Sequence, residues 1–139
     1  MNTGVIATSH ASLASGVYSA IKMIAGEFDN IRILEFKNGD KLDDFDENLK
    51  KLYEELKSYK NVIILADITG GTPFNRSVLN LSNYDNVRII GGLNFASLFQ
   101  ALNSDNEDID ACVQEIIQTT KESIIQFEAR VEDDDDFSL

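Results

Sequence analysis

The stretch that most constrains how this chain folds is residues 62–75, which read VIILADITGGTPFN. Its first five residues are apolar without polar alternation, which predicts a strand covered on both faces, as in a parallel sheet. Asp67 follows this strand directly. Ligands of open α/β sheets bind at the carboxyl ends of the strands, so the sequence places a carboxylate where a ligand site is expected.

A glycine turn and a predicted helix start follow Asp67. Gly70 and Gly71 form the turn, and Thr72 is a suitable N-cap. Pro73 is favoured in the first helical turn, because its missing N–H would be unpaired there. Free N–H groups and the positive dipole end of such a helix can bind an anion. A tight strand-to-helix turn without a ligand is the alternative interpretation of this stretch alone.

Strand and helix patterns alternate along the whole chain. Short apolar runs predict strands over residues 4–8, 31–36, 62–67 and 87–90. Helical spacing of apolar residues predicts helices over 13–25, 43–59, 73–81, 95–102 and 109–127. This alternation predicts a single α/β domain with a doubly wound, mainly parallel sheet and helices on both faces. The commonest small arrangement has strand order 2-1-3-4, with its ligand crevice between strands 1 and 3.

The two residues expected at that crevice are His10, the only histidine of the chain, and Asp67. They follow strands 1 and 3, so the predicted sheet brings them together. A carboxylate bonded to one ring nitrogen fixes the tautomer and leaves the other nitrogen as base or nucleophile. The N-termini of the first and third helices and the residues around the pair are suited to bind a tetrahedral anion. The surrounding residues are Ser9, Ser12, Thr69, Gly70, Gly71 and Thr72.

Composition and motifs exclude several other functions. The net charge of −12 argues against nucleic acid and anionic membranes as partners. A single cysteine and a single histidine leave no intrachain disulfide and no usual zinc site, and they favour the cytoplasm. We see no signal peptide and no membrane-spanning apolar run. The G-x-S-x-G elbow of serine hydrolases and the Walker lysine are both missing.

Three segments together resemble the IIA component of the mannose–fructose–sorbose sugar phosphotransferase system. They are GVIATSH at 4–10, ADITGGTPFN at 66–75 and GGLN at 91–94, and the resemblance spans roughly residues 3–125. It implies that His10 is phosphorylated by the phosphocarrier HPr and passes the phosphoryl group to a histidine of the IIB component. Asp67 matches the aspartate that orients this histidine. No IIB domain follows within these residues, so we expect IIB on a separate chain.

Further expectations accompany this resemblance. We expect a domain over residues 1–130 followed by an acidic, flexible tail over 131–139. Phe74 and Phe95, near the predicted crevice, are candidates for partner binding, with core packing as the alternative. We expect a homodimer, mainly from the resemblance. Hydroxyls and helix N-termini can neutralise the phosphoryl charge, so we expect neither a metal nor another cofactor.

Two other functions stay open at this point. One is the related phosphohistidine subunit that serves dihydroxyacetone kinase, which has similar chemistry and a different acceptor. The other is a non-catalytic signalling or binding module, such as a receiver domain. A receiver also has an aspartate after its third strand, but it needs an acidic cluster after the first, where this chain has Ser9 and His10.

Overall fold

A computed structural model describes residues 1–129 of the chain. Its strands are β1 (Thr3–His10), β2 (Ile31–Phe36), β3 (Asn61–Ala66) and β4 (Val87–Gly91). Its helices are α1 (Leu13–Ala25), α2 (Leu42–Leu56), α3 (Thr72–Leu81), α4 (Phe95–Leu102) and α5 (Ile109–Glu122). The expected tail over 131–139 lies outside the described residues.

The four strands form one parallel sheet of order β2-β1-β3-β4, which confirms the predicted topology. Burial follows position in the sheet. Every residue of β3 is buried, because helices cover both faces of this central strand. The edge strands β2 and β4 are mostly half-buried. This explains why residues 62–66 are apolar without alternation.

Two apolar layers hold the helices against the sheet. On one face, α1, α4 and α5 pack against β1 and β3 through a layer that includes Ile21, Leu98 and Ile116. On the other face, α2 and α3 pack through a layer that includes Leu49 and Leu81. Successive residues of a strand point to opposite faces, so β1 and β3 supply both layers. Among residues 1–129, no helix is long and apolar enough to cross a membrane.

Three predicted helix boundaries are wrong. Helix α2 ends at Leu56 and does not continue to residue 59. Helix α3 begins at Thr72, with Gly71 as its N-cap, so Thr72 is not the cap. Helix α5 ends at Glu122 and does not continue to residue 127. Ile124 and Ile125 beyond it are about four-fifths exposed, at 82% and 80%. The apolar spacing continues past Glu122, but within residues 1–129 these two side chains are not buried, so periodicity overestimated the helix.

An ion pair joins α2 to α3 beneath the glycine turn. The Arg76 guanidinium donates from Nε to Asp46 Oδ1 at 2.9 Å and from Nη2 to Asp46 Oδ2. Asn80 donates to the same carboxylate at 2.8 Å. The Arg76 hydrogen bond is the main cause that lowers the pKa of Asp46 below its usual value, although burial opposes it. The pair therefore fixes α3, whose N-terminus faces the site, to its neighbouring helix.

Asp46→Asn is expected to lower the free energy of unfolding by about 1–2 kcal/mol near neutral pH, because a half-buried guanidinium loses its charged partner. Because the pKa of Asp46 is lower in the folded state, its ionised carboxylate stabilises the fold at pH values above the ordinary pKa of 3.8. This stabilisation is lost as the pH falls through the folded-state pKa. Urea unfolding at neutral and acidic pH would measure the free energies of unfolding, and the difference between wild type and variant should be smaller at acidic pH. Asp29→Asn, at an exposed loop, is the control, and an equal loss in both variants would contradict the prediction.

Candidate functional site

His10 and Asp67 meet at the carboxyl edge of the sheet, at the switch point between β1 and β3. The parallel register pairs Thr8 with Ala66, so Ser9 and His10 at the end of β1 lie beside Asp67, which directly follows β3. His10 Nδ1 lies 2.9 Å from Asp67 Oδ2, and the backbone N–H of His10 donates to the same oxygen at 2.9 Å. One contact orients the ring through Nδ1 and the other ties the His10 backbone to the same carboxylate, which leaves Nε2 as the nitrogen for chemistry.

Asp67 is held as an anion at this position. Its side chain is only 5% exposed, whereas that of His10 is 43% exposed. Burial acts to raise the pKa of Asp67, but the hydrogen bonds from the backbone and ring of His10 and from the Ile68 N–H outweigh it, and the pKa lies below its usual value. The Ile68 N–H donates to Oδ1 at 2.9 Å. The carboxylate is thus buried and held by hydrogen bonds, whereas the imidazole beside it is accessible.

Aromatic packing and a close glycine restrict the His10 ring. Phe36 meets it edge to face, with 6.4 Å between ring centroids, and Phe45 supports Phe36 in the same way at 5.6 Å. A Cβ atom at Gly71 would lie 3.0 Å from His10 Cε1 and 3.3 Å from the Ile68 carbonyl oxygen. Gly71 therefore allows the turn to approach the ring more closely than another residue could.

Gly71→Ala is expected to lower by about tenfold the rate of the His10 phosphorylation that the family resemblance implies, because the added methyl group displaces the ring by a few tenths of an ångström. The rate would be measured under single-turnover conditions. Gly16→Ala is the matched control, since a Cβ there meets nothing within 4 Å. A Gly71→Ala variant with the wild-type rate would show that this close approach is not needed.

The glycine turn itself is fixed by backbone and side-chain contacts. Gly70 has φ +86°, a conformation that residues with a Cβ rarely adopt, and its carbonyl accepts from Asn75 Nδ2 at 2.8 Å. The exposed Thr69 packs so closely against Gly91 of β4 that a Cβ atom at Gly91 would lie 1.9 Å from Thr69 Oγ1. Thr72 is half-buried in the first turn of α3. These residues therefore shape the turn beside the His10 ring.

Two first-turn amides of α1, a helix N-terminus that we expect to bind an anion, have acceptors within the protein. Ser9 is buried, and its hydroxyl accepts the Ala14 N–H at 2.8 Å. The carboxylate of Glu35, at the end of β2, accepts the Ser15 N–H at 2.9 Å and the Ser15 hydroxyl at 2.7 Å. Burial opposes ionisation of Glu35, but these bonds outweigh it and lower its pKa. A side chain and a carboxylate of the protein itself therefore cap α1.

Among the described residues, the N-terminus of α3 keeps two amides without an acceptor at this edge. Thr72 and Phe74 lie in its first turn, where backbone N–H groups have no acceptor within the helix, and Pro73 has no N–H. The next amide, that of Asn75, already donates to the Gly71 carbonyl at 2.9 Å. Two N–H groups and the helix dipole are thus directed at the same edge as the His10 ring.

An open cleft of about 540 Å³ lies beside His10 on the side of β2. Its lining comes from the loops that follow β1 and β2, and Ser12 is exposed there. The lining residues are His10, Ala11, Ser12, Phe36, Lys37, Asn38 and Gly39. Of the described residues, no group of three or more His, Cys, Asp and Glu side chains is arranged to hold a metal ion.

Exposed apolar side chains surround this edge. Ile68 is 59% exposed and follows Asp67 directly. Phe74 is half-buried, and Phe95 is 36% exposed and stacks on Phe99 with 5.8 Å between centroids. Neither Phe74 nor Phe95 belongs to the two core layers. Sequence reasoning did not single out Ile68, Glu35 or Lys37; the position of Ile68 after Asp67 and of the two charges at the end of strand 2 could have signalled them.

The fold and the pair define a class: a doubly wound α/β domain with an imidazole oriented by a carboxylate at its switch point. A family model supports a more specific assignment. The model of EIIA-man, described as the PTS system fructose IIA component, matches residues 4–117. The chain belongs to this family of phosphotransferase-system IIA components.

Individual relatives agree with the family. The chain is 24% identical over 132 residues to the mannose-specific EIIAB component of Escherichia coli K12, covering 94% of this chain but 41% of that protein, so it spans about two fifths of this relative. It is 24% identical to the sorbose-specific EIIA component of Lacticaseibacillus casei over 119 residues, or 85% of this chain and 86% of that protein.

Solved structures of similar fold include two PTS proteins. The mannose/sorbose-specific IIA subunit from Enterococcus faecalis has a TM-score of 0.84 at 25% identity, covering 94% of this chain and 98% of that chain. A PTS IIA protein associated with the fucose utilization operon of Streptococcus pneumoniae has a TM-score of 0.80 at 30% identity, covering 91% of this chain and 93% of that chain.

Proposed function

We propose that this protein carries a phosphoryl group on Nε2 of His10, accepting it from HPr and passing it to the IIB component of a sugar transporter. The observation that carries the proposal is the 2.9 Å contact of His10 Nδ1 with a buried Asp67 carboxylate, on a ring that is 43% exposed. The family assignment supports phosphoryl transfer as the chemistry of this pair, since the chain belongs to the IIA components. The proposal places the protein in the cytoplasm with its donor.

Each residue of the pair has a defined part in the transfer. Asp67 accepts a hydrogen bond from the Nδ1–H, which keeps its proton, and the Nε2 lone pair therefore faces outward. This lone pair forms the new bond to phosphorus, while the bond to the donor breaks and its electron pair stays with the donor. The ring then carries positive charge, which the Asp67 anion stabilises. The first-turn N–H groups of α3 supply donors for the phosphoryl oxygens.

The direct test is phosphorylation with purified components. The chain would be incubated with HPr, its upstream enzyme and phosphoenolpyruvate, and the product examined by intact-mass spectrometry. We expect one phosphoryl group, lost in mild acid and retained in base, as a phosphohistidine requires. We also expect transfer from purified phospho-HPr to proceed in EDTA. No mass gain, or an acid-stable product, would contradict the proposal; loss in EDTA restored by Mg²⁺ would contradict transfer without a metal.

We propose that the apolar rim formed by Ile68, Phe74 and Phe95 binds the protein partners. Phe95→Ala is expected to raise the KM for phospho-HPr by about tenfold, because exposed aromatic side chains near an interface centre contribute much of its affinity. The thermal midpoint should stay unchanged, and Met23→Ala, at a 90% exposed residue of α1, is the control. A large drop in stability with an unchanged KM would favour a packing role for Phe95.

The family resemblance also supports a homodimer. Beyond α5, Ile124 and Ile125 present apolar surface that the described part of this chain does not bury. Burial of such surface against a second copy would stabilise both chains. Light scattering tests this, and a mass equal to the chain mass of 15.5 kDa would reject it.

A further inference from the structure

Lys37 is a cation beside His10 that the proposed transfer does not yet use. It follows Phe36, which is the register partner of His10 in the β1–β2 pair. Lys37 and His10 line the same cleft, and Lys37 is the one lysine or arginine among the residues that line it. Its side chain is 59% exposed, so the ammonium group can move within the opening.

The partner that Lys37 now has is a weak one. Its Nζ lies 3.8 Å from Glu35 Oε1, near the outer limit for an ion pair. An ion pair with one exposed member contributes little to stability. The other carboxylate oxygen, Oε2, is held by the N–H and the hydroxyl of Ser15. The hydrogen bonds between Glu35 and Ser15 therefore remain when Lys37 moves away. Moving the Lys37 ammonium group from Glu35 to another anion costs little free energy.

A phosphoryl group on His10 creates a demand for positive charge. It carries nearly two negative charges at a site in a chain of net charge −12. The first turn of α1 cannot supply all of the compensation, since Ser9 and Glu35 already occupy two of its amides. Arg76 cannot supply it either, because Asp46 binds its guanidinium. The first turn of α3 and the Leu13 amide of α1 remain as neutral donors, and the ammonium group of Lys37 is the remaining cation that lines the cleft.

We infer that Lys37 is a catalytic residue that moves from Glu35 to the phosphoryl oxygens as the group reaches or leaves His10. The inference rests on the proposed phosphohistidine function. No bond to Lys37 forms and no proton moves; the ammonium group donates hydrogen bonds while the phosphorus–donor bond breaks and the bond to Nε2 forms. Glu35 stays bonded to the Ser15 amide throughout.

The test compares two donors that differ in size. Phospho-HPr contacts the protein surface as well as the site, whereas phosphoramidate presents little beyond the phosphoryl group. We expect Lys37→Gln to lower the rate of His10 labelling about tenfold with both donors, the loss of one charged hydrogen bond at a partly exposed site. Lys37→Arg should restore most of the rate, because it keeps the charge. Lys41→Gln, on the same loop but outside the cleft, should match wild type.

The outcomes separate this inference from the function on which it rests. A loss with phospho-HPr alone would make Lys37 a contact of the partner and overturn the inference. An unchanged Lys37→Gln rate with both donors would also overturn it, while labelled wild type would leave the proposed function intact. Absence of labelling on wild-type His10 would overturn the function itself. Thermal midpoints of all variants, expected to agree with wild type, exclude a loss of the α1 cap as the cause.

Discussion

His10→Gln should abolish phosphorylation completely. The nucleophilic nitrogen is lost, and the chain has no other histidine to replace it. Because the His10 side chain is 43% exposed and its backbone N–H still reaches Asp67, the fold should persist. Intact-mass spectrometry after incubation with the complete donor system would report the loss, with wild type labelled in parallel.

The stability of His10→Gln must be measured with its labelling. We expect a thermal midpoint close to that of wild type, which would assign the loss to chemistry. Phosphorylation that persists in His10→Gln at the wild-type rate would overturn the site. If the variant did not fold, limited alkylation of the His10 ring in wild-type protein would give the same information, since blocking Nε2 should prevent labelling.

Asp67→Asn should leave slow but measurable labelling, lower by roughly 10² to 10⁴, by analogy with orienting carboxylates in catalytic triads. Asparagine has the same size, but it carries no charge and its amide group can face Nδ1. The ring then loses its fixed tautomer and the anion that stabilises its positive charge during transfer. Single-turnover rates would measure the loss, with Asp29→Asn at an exposed loop as the control.

A second readout distinguishes orientation from simple structural support. Nitrogen chemical shifts of the single imidazole report which ring nitrogen carries the proton. Wild type should show the proton on Nδ1, facing Asp67, and Asp67→Asn should show a mixture of tautomers. Wild-type rates in Asp67→Asn, or a tautomer that does not respond to the substitution, would contradict the orienting role.

The topology of the sheet could be predicted because its signals are local. Apolar runs of strand length alternate with helical spacing, and few chain paths satisfy such a pattern. The strand order then follows from the commonest right-handed arrangement. The juxtaposition of His10 and Asp67 needs no side-chain detail, since His10 ends β1 and Asp67 directly follows the neighbouring β3 at the same edge of the sheet.

Helix ends could not be predicted as well, and α5 shows why. Apolar residues continue at helical spacing to residue 127, but the helix ends at Glu122. Spacing indicates which face a helix would bury, and it does not indicate whether the sheet or a neighbouring helix reaches that far. The start of α3 is a smaller case: Thr72 has the chemistry of an N-cap, but the backbone of Gly71 takes that position.

The fold class, the strand order and the meeting of His10 with Asp67 follow from the amino-acid pattern alone, because each depends on periodicity and on residues at strand ends. The acceptors of the α1 amides, by contrast, became visible only in the folded protein. Ser9 accepts the Ala14 N–H, and Glu35 accepts the Ser15 N–H. Glu35 and Ser15 are 20 residues apart in the chain, and their contact depends on how far α1 sits over β2. The packing of α1 on the sheet sets this position, and no local sequence pattern encodes it.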